Sequence, residues 1–107
     1  MEQSQAVDAL AALAHETRIS AFRLLVRAGP DGLTAGSIGD ALELPAPTLS
    51  FHLKELRQAG LVHADPVGRS RVYRADYPAM SDLLTFLTDK CCEGVSECAP
   101  RLEEATP

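Results

Sequence analysis

The chain has no tryptophan, two tyrosines, three phenylalanines and only three cysteines in 107 residues. No apolar run approaches the roughly 20 residues that a bilayer-crossing helix needs, so no such span is expected. The opening MEQSQAVDALAALAHETR has no basic leader followed by a continuous apolar core. That excludes a secretory signal there and makes the cytoplasm the expected location. In a reducing cytosol, three cysteines do not make a disulfide framework. An odd number gathered at Cys91, Cys92 and Cys98 points instead to metal or redox chemistry. Enzymatic signatures are missing too. There is no nucleophile–base pair, phosphate-binding loop or metal–water motif. A thiol reductase is expected to carry Cys-x-x-Cys at a helix start, not an adjacent pair at a helix end. The chain is therefore not read as an enzyme, and no organic cofactor is expected.

Positive charge is also scarce: the formal net charge is −5. Its distribution matters more than its sum. Between Thr48 and Arg74 stand Lys54, Arg57, Arg69, Arg71 and Arg74 against only Glu55 and Asp65. Phosphate attraction is local, because salt screens charges beyond about 8–10 Å. An acidic body behind a basic edge orients a protein on a duplex.

The length fits one domain. Residues 4–14 predict a first helix, with Ser4 as cap and Val7, Leu10, Leu13 and Ala14 on one face. Thr17 caps a second helix to about Ala28, with Ile19, Phe22, Leu25 and Val26 as its stripe. Gly29-Pro30-Asp31-Gly32 is a turn. Thr34 caps a third helix over 35–42, with Ile38 and Leu42 inward. Glu43-Leu44-Pro45 is the next turn. A fourth helix follows from Ala46 or Pro47 to Ala59, where Pro47 is tolerated in the first turn and Gly60 is the residue past the end. Leu49, Leu53 and Leu56 form its buried face. Residues 61–66 and 71–75 read as strands around a basic Val67-Gly68-Arg69-Ser70 turn. Pro78 ends the β region. Met80, Leu83, Leu84 and Leu87 stripe a fifth helix reaching Cys92 or Glu93. The fold expected is α+β: a winged helix-turn-helix, mostly helical, with a two-stranded hairpin wing. Its domain spans 1–94, and a tail, 95–107, brings Cys98 to the cysteine pair.

A winged helix-turn-helix reads double-stranded DNA. At about 100° per residue, the face opposite the leucines holds Pro47, Ser50, Phe51, Lys54 and Gln58, with Thr48 beside it. Ser50 and Gln58 suit base edges, Phe51 a thymine methyl, and Lys54 a phosphate. An ordinary solvated helix face is the bland alternative, which an outward aromatic weakens. His52 borders the leucine face. It is a candidate DNA contact, but a partly buried, hydrogen-bonded histidine is the better reading. His15 and His63 have no ligand partner at helical or strand spacing. Arg69 and Arg71 on the wing suit phosphate or the minor groove, with Arg74 a weaker candidate.

Three segments carry a resemblance: Leu13-Ala-His-Glu-Thr-Arg18, Thr48-Leu-Ser-Phe-His-Leu-Lys-Glu-Leu-Arg-Gln-Ala-Gly-Leu-Val62 and Gly68-Arg-Ser-Arg-Val-Tyr73. Over roughly residues 5–90 the chain resembles the ArsR/SmtB family of bacterial metal-sensing repressors. The resemblance implies a homodimer that binds palindromic operator DNA and leaves it when an ion binds. It implies pairing through the first and last helices, here Val7, Leu10, Leu13, Met80, Leu83, Leu84 and Leu87. The chain also departs from the family. Arsenic sensors of the best-known type carry Cys-x-Cys in the third helix, and here that helix has no thiol. Zinc sensors use Asp and His on the last helix, and here no histidine follows His63. What remains, Cys91-Cys92-x5-Cys98, looks like variant arsenic repressors with a C-terminal cysteine site. Three soft thiolates without an imidazole suit three-coordinate As(III) or Sb(III). Glu93 or Glu97 could complete a zinc or cadmium site instead, and a redox-sensing repressor using the same thiols is a further alternative.

Overall fold

A computed structural model describes residues 1–90 of the chain. The elements are α1 (Gln3–Leu13), α2 (Glu16–Ala28), β1 (Leu33–Thr34), α3 (Ala35–Leu42), α4 (Ala46–Gln58), β2 (Val62–Val67), β3 (Ser70–Ala75) and α5 (Tyr77–Thr88). The tail 95–107, and with it Cys91, Cys92 and Cys98, lies outside the described residues, as does the boundary drawn at residue 94.

The core forms where α2, α3 and α4 meet the sheet. Leu25, Ile38, Leu53, Leu56 and Leu61 are its fully buried large side chains. Leu49, Leu53 and Leu56 bury the inner face of α4 as their spacing predicts, and His52 goes in with them. The helix closes with paired bonds: the Gly60 N–H donates to the Arg57 carbonyl and the Leu61 N–H to the Leu56 carbonyl. That satisfies two of the last-turn carbonyls in a Schellman arrangement. Thr34 caps α3 as expected, accepting from the Ser37 N–H.

The wing is larger than a hairpin. β2 and β3 pair antiparallel from Val62↔Ala75 to Val67↔Ser70. Gly68, at φ 62°, takes the first turn position, where a tight hairpin needs a left-handed residue. β1 adds a third strand on the other edge of β3, with Leu33 opposite Tyr73 and Thr34 opposite Val72. Arg74 of β3 ties the assembly together, donating to the Pro30 carbonyl at 2.9 Å and to the Asp65 carboxylate at 2.7 Å.

Several local expectations are corrected. The buried face of α1 is Ala6, Ala9 and Ala12, and Val7 and Leu10 point outward. Small side chains let α1 lie close to its neighbours, and larger ones on that face would hold it off. Glu2 caps α1 in a reciprocal box with Gln5, so Ser4 lies inside the helix. His15, not Thr17, caps α2: its Nδ1 accepts from the Thr17 N–H at 3.1 Å. Ile19 faces out, and Ala21 takes the inner position beside Phe22 and Leu25. Asp76 caps α5 by accepting from the Ala79 N–H, which puts Pro78 in the first turn, where its missing N–H costs nothing. That helix stops at Thr88, short of Cys92 or Glu93. Asp89 leaves helical geometry, and Lys90 is left-handed at φ 56°.

Candidate nucleic-acid interface

The helix-turn-helix is α3, the turn Glu43–Pro45 and α4. Glu43 adopts φ 55° and ψ 48°, and the Leu44 N–H returns to the Gly39 carbonyl at 3.0 Å. This tight reversal sets α4 across α3. On α4 the side chains of Pro47, Thr48, Ser50, Phe51, Lys54 and Gln58 are all exposed. Phe51 is the unusual member, since an aromatic ring 55% exposed keeps a large apolar face in water. Arg69 and Arg71 are exposed on the wing, and the Arg71 guanidinium lies 5.8 Å from the Tyr73 ring centroid. Arg74 is engaged with Pro30 and Asp65, so it holds the wing and is not free at its tip.

His52 is turned inward and only 8% exposed. Its Nδ1 accepts from Arg18 Nε at 3.1 Å, which places the neutral ring's proton on Nε2. The His15 ring packs on it at 4.6 Å between centroids. Burial holds the His52 imidazole below its ordinary range, and the nearby His15 and Arg18 push the same way while Glu55 opposes them. His52 is therefore a support beneath the outer face. Arg18 and His15 are functional candidates with no signal in helix periodicity. The only hint was their place in the segment Leu13–Arg18.

Of the apolar residues assigned to pairing, Val7, Leu10, Leu84 and Leu87 are exposed, and α1 touches α5. Leu13 and Met80 are half-buried against the core, and Leu83 lies within it. Among the described residues, no three His, Cys, Asp or Glu side chains converge to hold a metal ion, and no helix is long and apolar enough to cross a membrane.

A helix-turn-helix whose second helix presents a polar and aromatic face beside a basic β wing defines a DNA-binding module of the winged class. A family model described as a helix-turn-helix domain matches residues 13–64. Among solved structures, an ArsR-like transcriptional regulator from Rhodococcus sp. RHA1 is 28% identical, with a TM-score of 0.73, over 84% of this chain and 82% of that one. HlyU from Vibrio cholerae N16961 is 33% identical, with a TM-score of 0.65, over 81% of this chain and 97% of its own. Its reduced form also matches, at 31% identity and a TM-score of 0.62, over 80% of this chain and 90% of that one. A homodimeric winged helix-turn-helix DNA-binding domain from Mycobacterium bovis is 26% identical, with a TM-score of 0.65, over 84% of this chain and 83% of that one. No curated protein matches significantly. The chain belongs to the ArsR/SmtB family of winged helix-turn-helix transcriptional regulators.

Proposed function

We propose that this chain is a homodimeric repressor that binds palindromic operator DNA and is released when As(III), or Sb(III), binds Cys91, Cys92 and Cys98 in the cytoplasm. The observation that carries the DNA reading is the outer face of α4, where Pro47, Ser50, Phe51, Lys54 and Gln58 stand exposed together beside Arg69 and Arg71. Two such helices in successive major grooves put the half-sites about 34–36 Å apart. The homodimer is supported by the exposed apolar residues of α1 and α5 and by the homodimeric state of the Mycobacterium bovis relative. The inducer reading rests on three thiols within eight residues, with no histidine beyond His63. Three thiolates match the coordination of a thiophilic trivalent ion.

One observation favours a second reading. The relative HlyU has been solved in a reduced form. In this reading two of the three thiols form a disulfide, giving two protons and two electrons to a thiol oxidant of the diamide class, and the oxidised protein releases the DNA.

Fluorescence anisotropy of the reduced protein on its own upstream DNA separates the two. Release by arsenite, lost in Cys91→Ser and Cys92→Ser, supports the thiolate sensor. If Cys98→Ser retained full arsenite release, the three-thiol site would be wrong. Release by diamide, reversed by dithiothreitol, with arsenite inert, supports the redox reading.

A further inference from the structure

We propose that Arg18, outside the helix-turn-helix, is a positioning residue for DNA readout, acting through Phe51. This rests on the reading of the outer face of α4 as the groove contact. Arg18 lies in the first turn of α2, 33 residues before Phe51 in sequence, yet its side chain reaches the recognition helix at two adjacent residues. Its Nε donates to Nδ1 of His52 at 3.1 Å. Its guanidinium carbon lies 5.6 Å from the centroid of the Phe51 ring, within cation–π range. One guanidinium makes both contacts at once, its Nε on His52 and its cationic carbon over the phenyl ring.

The other groups fix the same geometry from below. His15 caps α2 through its Nδ1 and packs its ring on His52 at 4.6 Å, tilted by 45°. Phe51 also meets the His52 ring edge-on at 5.5 Å. The Phe51 ring is therefore bracketed on its protein side by a cation and an imidazole, while 55% of the residue remains in solvent. An exposed phenylalanine with no such bracket samples several rotamers. Holding one in place before the duplex arrives lowers the ordering cost of binding. A lysine at position 18 preserves the charge but has neither the planar fork nor the Nε donor, so it cannot make both contacts. Arg18 thus makes the α1–α2 corner part of the reading head.

The test is a double-mutant cycle on the full-length reduced protein, with its own upstream DNA and a scrambled duplex as probes. Phe51→Leu, Arg18→Lys, Arg18→Gln and the double variants are compared, and thermal midpoints are recorded for each. Arg18→Lys and Arg18→Gln are expected to weaken specific binding alike, with scrambled-duplex binding little changed for Arg18→Lys. The loss is expected to shrink by at least about twofold in the Phe51→Leu background, the lower range for residues in direct contact. With 4-fluorophenylalanine incorporated, the fluorine signal of Phe51 is expected to shift in Arg18→Lys before any DNA is added, a readout that does not depend on how the variants bind. Full rescue by Arg18→Lys, or equal losses in both Phe51 backgrounds, would overturn the proposal and make Arg18 a simple phosphate attractor. If Phe51→Leu binds as the wild type while Lys54→Ala binds weakly, the proposal fails and the DNA face stands. If neither weakens binding, the reading of that face fails first.

Discussion

Gly32 lies so close to Tyr73 that a β-carbon on it would overlap the Tyr73 carbonyl oxygen and press on the side chains of Arg74 and Val72. Its φ of 70° independently disfavours any L side chain. The close approach lets the loop before β1 fold onto β3 and makes Leu33 pair with Tyr73. Gly32→Ala is expected to cost about 2–4 kcal/mol, combining backbone strain with displacement of a central strand. In a domain of this size, each kcal/mol lowers the melting midpoint by roughly 4–8 °C. A calorimetric or circular-dichroism melt within a degree or two of wild type would show that the loop can move away at little cost.

The buried His52 gives stability a pH dependence of known sign. Its folded-state affinity for a proton is depressed, chiefly by burial, while the unfolded chain titrates near the ordinary value of about 6.5. Below that value the unfolded state binds more protons, so stability is highest above it and falls as the pH drops. Protonation also removes the acceptor that Arg18 uses. Urea midpoints at pH 7.5 and 5.5 are expected to differ more for wild type than for His52→Gln, which cannot titrate. Equal differences in the two proteins would place the pH dependence elsewhere.

What could be read in advance follows from the range of the interaction responsible. The inner face of α4, its closing bonds at Gly60 and Leu61, the Thr34 cap and the hairpin all depend on residues within a few positions of one another. Periodicity and turn chemistry report such features. Hydropathy weights Val7 and Leu10 above Ala6, Ala9 and Ala12 and so points to the wrong face of α1, whereas close helix packing selects the small side chains. β1 is two residues long and exists only because Tyr73 and Val72 lie beside it, some 40 positions later. The bond from Arg18 to His52 likewise spans 34 positions. His15 caps α2 with a ring nitrogen where Ser, Thr, Asp or Asn is the usual choice, so residue preference alone points to Thr17. The outer face of α4 was visible because it is the complement of a well-marked leucine face.

The three wing arginines differ in their surroundings. Arg69 and Arg71 are exposed, whereas Arg74 is committed to Asp65 and Pro30. Arg69→Ala and Arg71→Ala are each expected to weaken binding to specific and scrambled duplexes similarly and to lower the slope of log K against log salt by about one. Arg74→Gln is expected to lower stability by up to about 1 kcal/mol, the scale of an exposed ion pair with an exposed hydrogen bond beside it, and to leave that slope unchanged. Anisotropy over a salt series checks the first expectation and urea unfolding the second. A slope change in Arg74→Gln equal to that of Arg71→Ala would mean that Arg74 leaves Asp65 for a phosphate.

The proposed arsenite response has a thermodynamic counterpart on the DNA side. An inducer changes operator affinity only to the extent that it binds the free and DNA-bound forms differently. Allosteric couplings are typically about 1–3 kcal/mol, or roughly 5- to 150-fold. Linkage then requires the operator to weaken arsenite binding by the same factor that arsenite weakens operator binding. Titrating arsenite into the reduced protein, alone and saturated with its upstream DNA, measures that factor. A scrambled duplex at low salt controls for charge. Cys98→Ser is expected to lower arsenite affinity and to shrink the coupling with it, because the two remaining thiols supply only two of the three sulfurs that a three-coordinate As(III) takes. Identical arsenite affinity with and without operator would mean that the ion does not act through DNA release, however tightly the thiols hold it.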